Sequence, residues 1–178
     1  MTGVTLRAGS SAVAFAVVAA VAVLLLGDAV LRGSWSVVAR SVGPAALVVW
    51  IAWLLLVRPS IRVRPDRAVV VNVGRITEVP WTRIADIRRR LQLVLDLDDG
   101  RSIQCWGSPF PRRRLVGKGA TTEDDDPAGT VLRSAWLSGS ARAGAGAAIV
   151  RRFDILALSL GAGSLVAAAL SVTLGGAR

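Results

Sequence analysis

Ile155 to Leu174 runs for a full helical span without a charged side chain, and two other apolar stretches, Ala12 to Leu26 and Val42 to Val57, precede it. A helix rises 1.5 Å per residue, so roughly 20 apolar residues cover the ~30 Å hydrocarbon core of a bilayer. The last stretch reaches that length alone. The first two reach it with their flanks, as Gly9 to Leu31 and Ser41 to Val57, with Pro44 interrupting the second. They are expected to form a transmembrane helical hairpin over 9–57, with spans about 9–31 and 41–57. The connecting loop carries Trp35, and another transmembrane helix is expected over 153–175. Hydrophobic residues make up 53% of the chain, above the ~45–50% of an ordinary soluble domain, so composition agrees with the spans.

Arg7, the apolar run after it and Gly27-Asp28-Ala29 also have the layout of a secretory signal peptide. Asp28 fits that layout poorly and a second span follows closely, so an uncleaved first span is the expectation. Trp50 and Trp53 within the second span suit helix packing or the interface.

Arginine placement sets the expected orientation. Arg58, Arg62, Arg64 and Arg67 follow the second span and Arg142, Arg151 and Arg152 precede the third, whereas the first loop has only Arg32 and Arg40. Positive charge collects on the cytoplasmic side. The middle region is therefore expected in the cytoplasm, and the protein in the cell (inner, cytoplasmic) membrane as a multi-pass chain.

Within that region, 61–106 changes to period-2 patterning. Ile61 and Val63 alternate with Arg62 and Arg64, and Val69, Val71 and Val73 form an odd-numbered apolar face. Such alternation predicts half-buried antiparallel strands. Pro65-Asp66 supplies a turn, Gly74 a bend, and Pro80 a limit to ladder pairing. In LQLVLDLDDGRSIQCW, residues 91–106, a two-residue Asp99-Gly100 loop would set Leu95 opposite Gln104. A three-residue loop, Asp98-Asp99-Gly100, sets Leu95 opposite Ile103 and Leu93 opposite Cys105, which keeps one face apolar. That register is expected, with Cys105 as a small core residue.

Residues 108–126 read as an irregular loop, basic and then acidic. A helix is expected over about 127–137, with Asp126 as cap, Pro127 at its first position, and Val131, Leu132, Ala135 and Trp136 on one face. Residues 139–152 read as a linker.

Chemistry is constrained by absence. The chain has no His, no Tyr and one Cys, which removes His-based triads, Cys–His metal sites and an internal disulfide. The acidic run Glu123 to Asp126 lacks EF-hand spacing. No catalytic, cofactor-binding or metal-binding residue is expected, and no cofactor.

Asn72, Pro80-Trp81, Ile84 and Asp99-Gly100, set between arginine-rich strands after two spans, resemble the actinobacterial membrane-anchored PH-domain proteins of the low-molecular-weight protein antigen 6 family. The resemblance covers about residues 58–110. It implies an α+β membrane protein with a PH-like antiparallel β-domain over 58–138, closed by a C-terminal helix, although a full PH domain has about seven strands and this sequence offers about five or six. Pro80, Trp81, Ile84, Asp99 and Gly100 are then a structural signature. Lipid-binding PH domains carry basic residues on the first two strands, and Arg62, Arg64 and Arg67 stand in the corresponding place as candidate membrane-surface contacts, since arginine suits phosphate.

The expected function is a non-catalytic, membrane-tethered interaction module, docking a protein partner, the anionic inner leaflet, or both. A specific phospholipid head-group site is one alternative. Another is nucleic-acid binding, motivated by the basic middle region with Trp81 and Trp106 available for stacking. Topology already accounts for the arginines and packing for Trp81, which makes nucleic acid the weaker reading.

Overall fold

The computed structural model describes residues 4–6, 9–89, 92–107, 127–140 and 147–176. The chain is α+β and divides into two compact units, Met1–Ala8 with Pro59–Arg152, and Gly9–Arg58 with Phe153–Arg178.

The helical unit holds α1 (Gly9–Leu31), α2 (Trp35–Ala52), which a π-helical turn continues over Trp53–Val57, and α4 (Ile155–Gly176). Apolar segments of 21, 23 and 19 residues within them, Ser11–Leu31, Trp35–Val57 and Ile155–Thr173, are long enough to cross a membrane. The α1–α2 connection is only Arg32–Ser34, closed by Gly33 at φ +67°. Trp35 and Arg40 thus lie inside α2, and not in the loop expected from their polar surroundings.

Small residues bring α2 and α4 together. A β-carbon at Gly43 would collide with the Ala167 backbone and Ser171 Oγ, and one at Gly161 with the Trp50 ring. Trp50 Nε1 donates to the Ala157 carbonyl at 3.0 Å. Asp154, 2% exposed, accepts two hydrogen bonds from Arg58, at 2.5 Å and 2.7 Å, and also accepts the Ala157 amide in the first turn of α4.

The other unit is built of strands and one helix. Its larger sheet has the order β1-β2-β3-β4-β8, with β1 (Val4–Leu6), β2 (Ser60–Val63), β3 (Arg67–Asn72), β4 (Arg75–Pro80) and β8 (Val150–Phe153). A 3₁₀ turn over Trp81–Arg83 leads into a three-stranded sheet of β5 (Ile84–Arg89), β6 (Leu93–Leu97) and β7 (Ser102–Cys105). The helix α3 (Pro127–Ser140) brings Ala128 and Leu132 into the core, with Ala135 and Trp136 packed at its margin.

Alternation in β2 was a good guide, since Ile61 and Val63 are in the core and Arg62 is exposed. In β3 the core face is the even one. Ile61 pairs with Val70 and Val63 with Ala68, so Ala68 and Val70 enter the core while Val69 and Val71 are buried on the other face. Three consecutive valines have no polar partner to reveal their phase, and register with β2 decides it. Val73 lies in the turn with Gly74, whose φ is +69°.

The β6–β7 hairpin has the three-residue loop. Leu95 faces Ile103, Leu93 faces Cys105, and the Leu97 amide donates to the Arg101 carbonyl at 2.8 Å. Gly100 adopts φ +78°, the left-handed conformation in which a β-carbon is strained.

Two strands escaped the sequence reading. β1 precedes α1, and β8 occupies part of the presumed linker 139–152. With three and four residues, and Arg151 and Arg152 inside β8, neither has a long enough pattern to register. Residues 108–126, including Arg112, Arg113, Arg114 and the Glu123–Asp126 run, lie outside the described residues. So do Arg90, Leu91 and 141–146.

Candidate functional site

The signature residues assemble the interior. Pro80, extended at ψ 143°, ends β4 and turns the chain into Trp81–Arg83. Trp81 is fully buried and donates through Nε1 to the Arg64 carbonyl at 2.9 Å, while its amide donates to the Asp66 carbonyl at 3.2 Å. The indole thereby fixes the turn between β2 and β3 from beneath. Ile84 and Ile87 are both buried although three apart, because Ile84 faces Leu97 and Asp86 faces Asp96. The extra residue, Ala85, is a β-bulge that returns Ile87 to the core face. Asp98 and Asp99 hold the hairpin to the Trp81 turn through Arg83: its Nε donates to Asp98 Oδ1 at 2.8 Å, and its carbonyl accepts the Asp98 amide at 3.1 Å. Asp99 is within ion-pair range of Arg83 at 3.6 Å.

Asn72 has a specific task. Its Nδ2 donates to the Gln104 carbonyl at 2.8 Å and its Oδ1 accepts the Trp106 amide at 3.1 Å. One side chain thus fills two backbone positions at the end of β7 and joins the two sheets there. Gly107, immediately beyond, lies against the Pro59–Ser60 backbone with no room for a β-carbon.

The three candidate surface arginines are not equivalent. Arg62 and Arg64 are exposed, and neither has a side-chain hydrogen bond or ion pair among the described residues. Arg67 is engaged on the outer face of the sheet, with ion pairs to Asp66 at 2.6 Å and Glu78 at 2.9 Å. Glu78, on the outer face beside Val69, also receives Arg152 from β8. Burial opposes its charge, yet the hydrogen bonds from Arg67 and Arg152 prevail and hold its carboxyl below the usual range. The Arg67 hydrogen bond likewise lowers Asp66. This acidic pair with its two arginines ties β8 to the sheet, and sequence reading missed it because Glu78 and Arg152 are far apart in the chain.

Other groups have structural employment. Arg88 bonds Asp96, with Nη2 to Oδ1 at 2.6 Å. Burial pushes the Cys105 thiol up to about 12, so it holds its proton at neutral pH and is a poor nucleophile. No group of three or more His, Cys, Asp or Glu side chains able to hold a metal ion occurs among the described residues. Of the two tryptophans available for stacking, Trp106 is 54% exposed and Trp81 is sealed in the core.

The accessible chemistry is therefore that of two exposed guanidinium groups on and beside β2, neither engaged in a side-chain hydrogen bond or ion pair among the described residues. No family model matches the chain, and no curated protein or solved structure matches it.

Proposed function

We propose that the chain is a membrane-tethered, PH-like interaction module that performs no catalysis and docks on the anionic inner leaflet, a protein partner, or both. The observation that carries this reading is that a folded sheet domain, with Arg62 and Arg64 exposed, lies in the chain between segments that form helices long enough to span a bilayer. Two antiparallel sheets with α3 packed into their core support the PH-like assignment.

Strand pairing supports the sidedness. β1 precedes α1, yet it hydrogen-bonds to β2 after α2, with Thr5 opposite Arg62. If α1 and α2 both cross the bilayer, β1 and the sheet domain share one side. The arginine excess beside the spans supports a cytoplasmic position for that side. Anionic lipid attracts a nearby arginine by about 1 kcal/mol, so Arg62 and Arg64 together contribute about 2 kcal/mol to leaflet contact.

The test uses the full chain in nanodiscs, with an environment-sensitive probe on Thr5→Cys, while buried Cys105 stays unlabelled. A probe response in phosphatidylcholine/phosphatidylglycerol discs, absent from pure phosphatidylcholine and abolished by Arg62→Glu/Arg64→Glu, is the expected result. An equal response in both lipids would reject leaflet docking. In-cell photocrosslinking from the same position would then test for a protein partner.

A further inference from the structure

Among the described residues of the helical unit, Arg40 is the charge that has no ion-pair partner. It lies within α2, five residues after Trp35, and its side chain is exposed with no hydrogen bond or ion pair among the described residues. The other arginine of the hairpin tip, Arg32, is neutralised by Asp28 at 2.9 Å. Beyond Arg40 the helix carries no charge through Val57, and Arg58 follows, engaged with Asp154. That uncharged stretch is about 26 Å long at 1.5 Å per residue, a little less than a ~30 Å hydrocarbon core. The full 23-residue segment Trp35–Val57 would reach about 34 Å and carry Arg40 below the interface. Pro44 adds a second opening, because it has no amide to bond the Arg40 carbonyl one turn back.

We infer that Arg40 binds the phosphodiester of a phospholipid in the leaflet at the hairpin tip, and so sets the depth of α2. The inference rests on the reading that these helices span a bilayer. A guanidinium at this depth is costly unless it reaches an anion, and its long stem allows the head group to reach the interface. Phosphate oxygens match its paired donors. The exposed Trp35 (66% exposed), at the N-terminal end of α2, marks the same interfacial zone.

The test measures the depth of a spin label on Val37→Cys in the full chain, in two kinds of vesicle with the same acyl chains. One is phosphatidylcholine/phosphatidylglycerol; the other is diglucosyl diacylglycerol, which lacks phosphate. In phospholipid, Arg40→Gln is expected to sink the label by about one helical turn, ~5 Å, while Arg40→Lys keeps most of the original depth. In glycolipid the unsubstituted Arg40 chain is expected to sit shallower than in phospholipid, because a guanidinium with no phosphate to meet is costlier to hold below the interface. Equal label depth for Arg40 in both vesicles overturns the inference, and this comparison decides it even if Arg40→Gln fails to insert. Restoration of the phospholipid depth in glycolipid by inorganic phosphate would show that a free anion suffices, which overturns the lipid source. Carbonate-resistant flotation separates the two levels: loss of vesicle association refutes the membrane reading itself, whereas retained association without a depth difference refutes only the role of Arg40.

Discussion

Gly139 of α3 lies flat against the Trp81 indole, so close that a β-carbon at 139 would overlap Cδ1. The helix can close on the sheets only because that position has no side chain. Trp81→Ala is expected to destabilise the sheet unit by about 3–5 kcal/mol, the range for a buried Trp. Gly139→Val is expected to cost about 1–3 kcal/mol by overpacking. Hydrogen exchange at core amides such as Val70 and Ile87 would read both effects in the full chain. Unchanged protection in Trp81→Ala would contradict a core role for the Trp81 indole.

The hairpin loop offers a backbone test. Gly100 at φ +78° has no atom crowding the place of a β-carbon. A substitution therefore meets conformational strain alone. Gly100→Ala is expected to cost about 1–2 kcal/mol, and Gly100→Asn less, since Asn tolerates the left-handed region. Equal stability of all three by thermal unfolding would contradict the loop geometry.

That hairpin was legible from sequence because two constraints agreed: alternating leucines fixed a face, and Asp98-Asp99-Gly100 fixed the loop. Val69 to Val71 carried one constraint without the other, and the core face of β3 followed from pairing that no local pattern encodes. Ala85 is more opaque still, since a bulge is a property of two strands together. The membrane-length helices were legible by length, but the start of α2 was not, because Arg40 interrupts the apolar run without interrupting the helix. Arg67 looked like Arg62 in sequence, and only the fold distinguishes them, by bringing Glu78 beneath one and leaving the other in the open.

Asn72 makes a prediction with a built-in control. Asn72→Ala loses both the donor to the Gln104 carbonyl and the acceptor for the Trp106 amide, and each hydrogen bond contributes about 0.5–1.5 kcal/mol. Asn72→Asp keeps the acceptor alone. Faster exchange of the Trp106 amide is therefore expected in Asn72→Ala and much less in Asn72→Asp. Equal rates in the two variants would mean that Asn72 does not hold β7.

Glu78 gives the pH dependence its sign. Its folded carboxyl titrates below its unfolded value, so its contribution is present above the unfolded pKa and disappears as pH falls through the folded one. Unfolded Glu titrates near ~4.3, which puts the loss in the region of pH 4 and below. Stability measured across that range is expected to fall more steeply for the unsubstituted chain than for Glu78→Gln, with β8 amides losing protection first. Parallel curves would remove Glu78 from the account.

Arg58 and Asp154 provide the test in the helical unit. Asp154 is nearly sealed from solvent, and it both pairs with the end of the second helical segment and caps the start of α4. Removing one partner from a buried pair leaves the other charge uncompensated, at a cost of about 3–5 kcal/mol. Asp154→Ala is thus expected to lower the thermal midpoint in detergent strongly, while Asp154→Asn, which can still accept the Ala157 amide, is affected less. The double variant Arg58→Met/Asp154→Leu removes both charges together and is expected to recover much of the loss, because no buried ion is then left alone. If the double variant is as unstable as the sum of its parts, the two residues do not act as a pair, and the packing at Gly43 and Gly161 with the Trp50–Ala157 hydrogen bond must hold α2 against α4.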